Sequence, residues 1–249
     1  MKDFINVIAS QRVYDKDVYT LKQIGSVYRL INQNAIRVSG LDIPYSKKNS
    51  VNSHKLDCNL SRAKSKVKEL AFCNDWDFFV TLTISPDKYD RYNLNAYVKD
   101  LGRFICNYNR YCSKDEKVKY LLIPEMHADG AWHLHGLIKG IKHSDLIMND
   151  NGYMTWKQYH NKFGYMSIDK IRDKEACSNY ILKYISKEMS KTVSELGSHL
   201  YYASKGLKTA TILYRGHDLR LEDDWDFEND YCRIKDMNEE ELHEKVVFI

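Results

Sequence analysis

The sequence predicts an α+β fold, on three observations. Along residues 77–191, short segments rich in β-branched and aromatic residues alternate with segments of helical spacing. The pair Asp129-Gly130 separates two of the apolar segments, and this dipeptide favours a tight hairpin, so those two strands run antiparallel. The chain of 249 residues is 43% hydrophobic and 29% charged, enough apolar material for a core within an ordinary water-facing surface.

Each element has its own signal. Residues 77–84 (Asp-Phe-Phe-Val-Thr-Leu-Thr-Ile) form a strand ended by Ser85-Pro86-Asp87. From Leu94 to Tyr111, Leu94, Val98, Leu101, Phe104, Ile105 and Tyr108 share one broad helical face. Residues 119–125 are a second strand, and residues 132–138 return from the hairpin as a third. A short helix is expected over 155–161 and a further strand over 164–171. Asp173 is placed as the cap of a helix running to about Lys191.

The flanks read differently. Residues 1–70 are predicted as an N-terminal extension. It is polar and basic at Lys47, Lys48, His54, Lys55, Arg62, Lys64, Lys66 and Lys68, and is either a DNA-contacting arm or a solvated helix face. Residues 71–215 are predicted as the main domain. Residues 216–249 carry Glu222, Asp223, Asp224, Asp226, Glu228 and Asp230 and are expected as an acidic tail, a peripheral helix or loosely ordered end.

Composition excludes several classes. The six cysteines include no C-x-x-C pair, which argues against a cysteine zinc site and fits reduced thiols in a cytoplasm. Met1-Lys2-Asp3-Phe4 leads into no long apolar stretch, so no secretory leader is expected, and no run approaches the length of a membrane span. No G-x-x-x-x-G-K-[ST] phosphate loop is present. The net charge of +4 is mildly basic and weak evidence for nucleic-acid binding by itself.

Two constellations carry chemistry. His133 and His135 are two apart in a strand, so both imidazoles leave the same sheet face while Leu134 points to the other. Glu125 lies across the Asp129-Gly130 turn, where its cross-strand partner falls among residues 131–135. A carboxylate with two imidazoles suits Mg²⁺ or Mn²⁺ at a phosphate, with His127 as an alternative ligand. Further on, Tyr180, Lys183, Tyr184 and Lys187 fall within about 100° of one another on a helix, opposite Ile181, Leu182, Ile185 and Met189. Lysine beside a phenol favours the nucleophilic phenolate and balances phosphate charge. Each pattern also has an ordinary reading: two surface histidines, and an amphipathic helix bordered by tyrosine and lysine.

Taken in order, Thr81-Leu82-Thr83, then His133-Leu134-His135, then Tyr180-x-x-Lys183 repeated as Tyr184-x-x-Lys187 resemble the three-motif signature of rolling-circle replication initiators, the HUH endonucleases. The doubled tyrosine is similar to the two-tyrosine initiators of single-stranded DNA phages and their plasmid relatives. The stretches Trp156…Gly164-Tyr165-Met166 and Ser204-Lys205-Gly206-Leu207 resemble the phage replication-associated group.

The resemblance spans about residues 76–215. It implies a central antiparallel sheet of about five strands in a ferredoxin/RRM-like arrangement, flanked by helices, with the histidines on the middle strand. It also implies that Glu125, His133 and His135 hold Mg²⁺ or Mn²⁺, and that Tyr180 or Tyr184 attacks the scissile phosphate of single-stranded origin DNA, with Lys183 serving Tyr180 and Lys187 serving Tyr184. The products would be a 5′-phosphotyrosyl link and a free 3′-OH. Lys205 is a further candidate phosphate contact. With no helicase domain in the chain, host helicase and polymerase are the expected partners, in a bacterial cytoplasm. A relaxase- or transposase-type nuclease and a non-catalytic DNA-binding regulator are the competing readings.

Overall fold

The computed structural model describes residues 13–39, 53–148, 152–173, 176–181, 199–221 and 224–248. In chain order the elements begin with β1 (Val13–Ile24), β2 (Val27–Ser39), α1 (Ser53–Phe72), β3 (Phe78–Thr83), α2 (Leu94–Tyr108), β4 (Lys119–Met126) and β5 (Trp132–Lys139). They continue with β6 (Leu146–Met148), β7 (Met154–Trp156), α3 (Lys157–Lys162), β8 (Met166–Lys170), β9 (Tyr202–Ala203) and β10 (Thr211–Gly216). Last come β11 (Leu219–Leu221), β12 (Phe227–Glu228), β13 (Cys232–Met237), α4 (Glu239–Lys245) and β14 (Val246–Phe248). Residues 176–181 are also helical.

The chain divides into two compact units, one of residues 53–208 and one made from both ends, 1–52 with 209–249. The unit of residues 53–208 is built on a five-stranded sheet in the order β8-β3-β5-β4-β9, with every neighbouring pair antiparallel. The fold is therefore α+β with helix-flanked antiparallel sheets, as the sequence predicts, and β5 with its two histidines is the middle strand.

Strand alternation gives this sheet two unlike faces. Phe78, Val80 and Leu82 of β3, with Leu122, Leu134 and Ile138, point to one side and are buried against Leu94, Tyr97, Leu101 and Ile105 of α2. These α2 positions recur at helical spacing, and Asn93 caps the helix by accepting from Ala96 N at 3.1 Å. Trp156, Tyr159 and Phe163 fill the rest of that core. On the opposite face, Leu121, Ile123 and Leu137 are covered by Val67, Leu70 and Ala71 of α1 and by Ile181. Each such fully buried side chain contributes about 1.5–3 kcal/mol. The face they cover is apolar at one end only, because its other end carries Glu125, His133 and His135.

The terminal unit changes the predicted boundaries. Its sheet runs β10-β1-β2-β13-β12, so the segment expected as a tail pairs with the N-terminal hairpin. Asp236 of β13 lies opposite Arg29 of β2 and accepts from its guanidinium at 2.6 and 2.7 Å. Asp224 and Asp226 meet Lys235 at 3.1 and 2.9 Å, and Asp224 also meets Lys245 at 2.7 Å. The acidic run is thus neutralised by lysines of its own unit. The predicted cut after residue 70 also moves: α1 starts at Ser53 and seals the face of the sheet that bears the histidines, with Val67 0% exposed. Lys47 and Lys48 lie outside the described residues.

Candidate active site

The site begins with register. Glu125 of β4 lies opposite His133 of β5, and His133 lies opposite Thr83 of β3. One step on, Ile123, His135 and Thr81 line up in the same way. The hairpin joining β4 to β5 sets this register. His127 O accepts from Gly130 N at 2.9 Å, and Gly130 sits at φ 82°, a conformation natural to glycine. Asp129 Oδ1 accepts from Ala131 N at 3.1 Å and Oδ2 from Arg91 Nη2 at 2.7 Å, and these bonds hold its carboxyl below the ordinary carboxylate range. The turn is longer than a two-residue Asp-Gly hairpin, yet it leaves Glu125 within the span of partners that the sequence predicts.

The side chains then converge in part. Glu125 Oε2 lies 2.5 Å from His135 Nε2. Thr81 Oγ1 is 3.1 Å from His135 Nδ1, and Thr83 Oγ1 is 3.3 Å from His133 Nδ1. Each imidazole therefore has a hydroxyl at one ring nitrogen, and the other nitrogen points away from it. The His133 and His135 rings are nearly parallel with centroids 6.5 Å apart, and His127 stacks on His133 at 3.8 Å. Desolvation, then the neighbouring His127 and His135, lowers the pKa of His133 to about 4, so its ring is neutral at physiological pH.

A carboxylate and two neutral imidazoles are a donor set that a hard divalent ion at a phosphate accepts, and a hydroxyl on Nδ1 orients such a ligand. Only Glu125 and His135 touch. Among the described residues no three His, Cys, Asp or Glu side chains close on a common point.

The first tyrosine of the predicted helix lies over this face. Asp173 Oδ1 accepts from Ala176 N at 3.0 Å, the cap expected from the sequence. Ile181 is fully buried beneath the helix, and Tyr180, 45% exposed, stands edge-on to Phe79 with centroids 5.3 Å apart. Phe79 is two residues from Thr81 on the same side of β3, and that spacing is about 7 Å along a strand. Tyr180 and the Glu125–His135 pair thus occupy one face of one sheet. Lys183, Tyr184 and Lys187 lie outside the described residues. Lys205 is exposed and lies on a groove along the other face of the sheet.

Three features escaped the sequence reading. Thr81 and Thr83 were legible as a motif, but their seats at the two imidazoles follow only from the β3–β5 register. Gly136 follows His135, and a Cβ there would come within 2.0 Å of Leu121 O, so β4 and β5 approach too closely for any side chain at this point. Tyr165, 60% exposed, is next to Thr83 on the outer side, its carbonyl accepting from Thr83 N at 2.8 Å.

Residues 77–189 match a family model of replication-associated proteins, the ORF2 type. The matched segment runs from the start of β3 through both tyrosines, and it is consistent with a rolling-circle replication initiator. Comparisons with curated proteins and with solved structures gave no match. No helix among the described residues is long and apolar enough to cross a membrane.

Proposed function

We propose that this protein nicks and rejoins single-stranded origin DNA to start rolling-circle replication, with a tyrosine of the 176–191 segment as nucleophile. The observation that carries this reading is the placement of Tyr180 on the sheet face that holds Glu125, His133 and His135. The replication-associated match supports the biological role.

In this reading the phenol oxygen of Tyr180 or Tyr184 bonds to phosphorus while the P–O3′ bond breaks. The phenolic proton is lost to solvent or a base, and the departing 3′ oxygen takes one up, giving a 5′-phosphotyrosyl link and a 3′-OH that primes synthesis. The second tyrosine repeats the step on the new strand. Lys183 and Lys187 favour phenolate over phenol and balance phosphate charge. Glu125, His133 and His135 would hold a Mg²⁺ or Mn²⁺ ion, which supplies charge stabilisation at the scissile phosphate. Thr81 and Thr83 keep the imidazoles oriented, and the exposed ring of Tyr165 offers a base-stacking surface beside them. Host helicase and polymerase would complete replication.

The test is covalent trapping. Labelled single-stranded origin DNA incubated with the protein and Mn²⁺ is expected to give an adduct that survives a denaturing gel. Tyr180→Phe and Tyr184→Phe, singly and together, assign the nucleophile. His135→Ala is expected to abolish the adduct while DNA binding persists. Binding without cleavage or adduct in either metal would overturn the proposal in favour of a DNA-binding regulator.

A further inference from the structure

A groove of about 650 Å³ opens between the C-terminal end of α2 and the start of β4. Its floor is apolar, made by Ile105, Val118 and the half-buried ring of Tyr120. These residues face the α2 core, so the groove lies on the sheet face opposite the histidines. It also lies at the other end of β4 from Glu125. Six strand residues separate Lys119 from Glu125, about 20 Å of strand.

The walls are held by specific bonds. Asn109 donates through Nδ2 to Val118 O at 3.0 Å and accepts through Oδ1 from Val118 N at 2.7 Å, which ties the end of α2 to β4. On the other side, Ser204 Oγ accepts from Tyr120 N at 2.9 Å, and Ser204 N donates to Tyr120 O at 3.0 Å. Lys119 Nζ donates to Gly206 O at 2.8 Å, so the Ser204–Gly206 turn is pinned to the strand by a cation that keeps its charge.

The charge on this groove has one sign. Arg110, Lys117, Lys119 and Lys205 line it, and among the described residues no carboxylate does. Arg110, Lys117 and Lys205 are exposed, and among the described residues none of the three forms an ion pair or side-chain hydrogen bond. Four cations around an apolar floor repel one another unless anions lie between them. The ligand that meets both features is a phosphodiester strand, its phosphates on the cations and a base on the Tyr120 floor.

We infer that this groove is a second DNA-binding site, gripping the strand flanking the nick rather than the scissile phosphate. The inference rests on DNA being the ligand of this protein, as proposed above, but not on the nicking chemistry.

Cys106 provides a reporter, because it is exposed on the groove. Its alkylation by a maleimide, followed by peptide mass spectrometry, is expected to slow when oligo(dT) is added to the Tyr180→Phe protein. Arms with a DNA hairpin, inorganic phosphate and thymidine monophosphate identify the source of the phosphate. Protection by the small phosphates alone would overturn the strand reading, and stronger protection by the hairpin would assign the groove to duplex.

The triple variant Arg110→Gln, Lys117→Gln, Lys205→Gln, altered only at exposed positions, should reduce the salt slope of oligo(dT) binding by roughly 2. That corresponds to roughly 100-fold weaker binding at about 0.1 M salt. An unchanged slope together with unprotected Cys106 would refute the inference. Loss of adduct formation with the slope and protection intact would instead count only against the nicking proposal.

Discussion

Replacing Gly136 by alanine tests the site through its scaffold. A Cβ at this position would stand 2.0 Å from Leu121 O and 2.9 Å from Leu122 Cα, where real Cβ atoms essentially never come within 3.0 Å. Because the obstacle is backbone, no side chain can swing aside, and β5 must move from β4 by about 1 Å. Overpacking of this kind costs typically 1–3 kcal/mol, and lost ladder bonds add to that. The displaced strand carries His135 next in sequence, whose Nε2 sits 2.5 Å from a Glu125 oxygen on the other strand. Misplacement by about 1 Å at a reacting centre can cost 100-fold. Gly136→Ala is therefore expected to lower the urea midpoint by the equivalent of about 2–3 kcal/mol, and to cut covalent adduct yield far more than it cuts oligo(dT) binding. A variant as stable and as active as the parent would refute the close-approach argument and the strand register it depends on.

Two further outcomes follow from buried groups. The His133 pKa is lowered from 6.5 to about 4, so between those values the unfolded chain binds a proton that the folded protein does not. Stability is then retained above the upper limit and falls as pH drops through the window, by about 1 kcal/mol once partial exposure is allowed for. In chelator-containing buffer, urea midpoints of the parent should fall more steeply with acid than those of His133→Gln; parallel curves would sink this. Tyr97 and Tyr159 are both fully buried with hydroxyls 2.7 Å apart, and desolvation raises both phenols. Tyr159→Phe strands the Tyr97 hydroxyl in an apolar core and should cost about 1–3 kcal/mol in denaturant unfolding; no loss would show that the hydroxyl pair is not a buried bond.

What the sequence determined was local. Period-two alternation put His133 and His135 on one face of a strand, the Asp129-Gly130 turn put Glu125 beside them, and Asp173 marked the start of the tyrosine helix. Each of those signals acts over a few residues, where backbone geometry leaves few choices. Tertiary structure decided the long-range pairings. The partner of β13 is β2, some 200 residues away, and nothing in a short polar run such as Cys232–Met237 names it. β9 is only Tyr202–Ala203, too brief for any periodic signal, yet it supplies the edge strand beside the basic groove. The seats of Thr81 and Thr83 at the imidazoles, the crowding at Gly136 and the placement of Tyr180 over Phe79 likewise depend on which strands and helices meet. Those meetings are set by burying apolar faces against one another, and the burial is specified by the whole core rather than by any one segment.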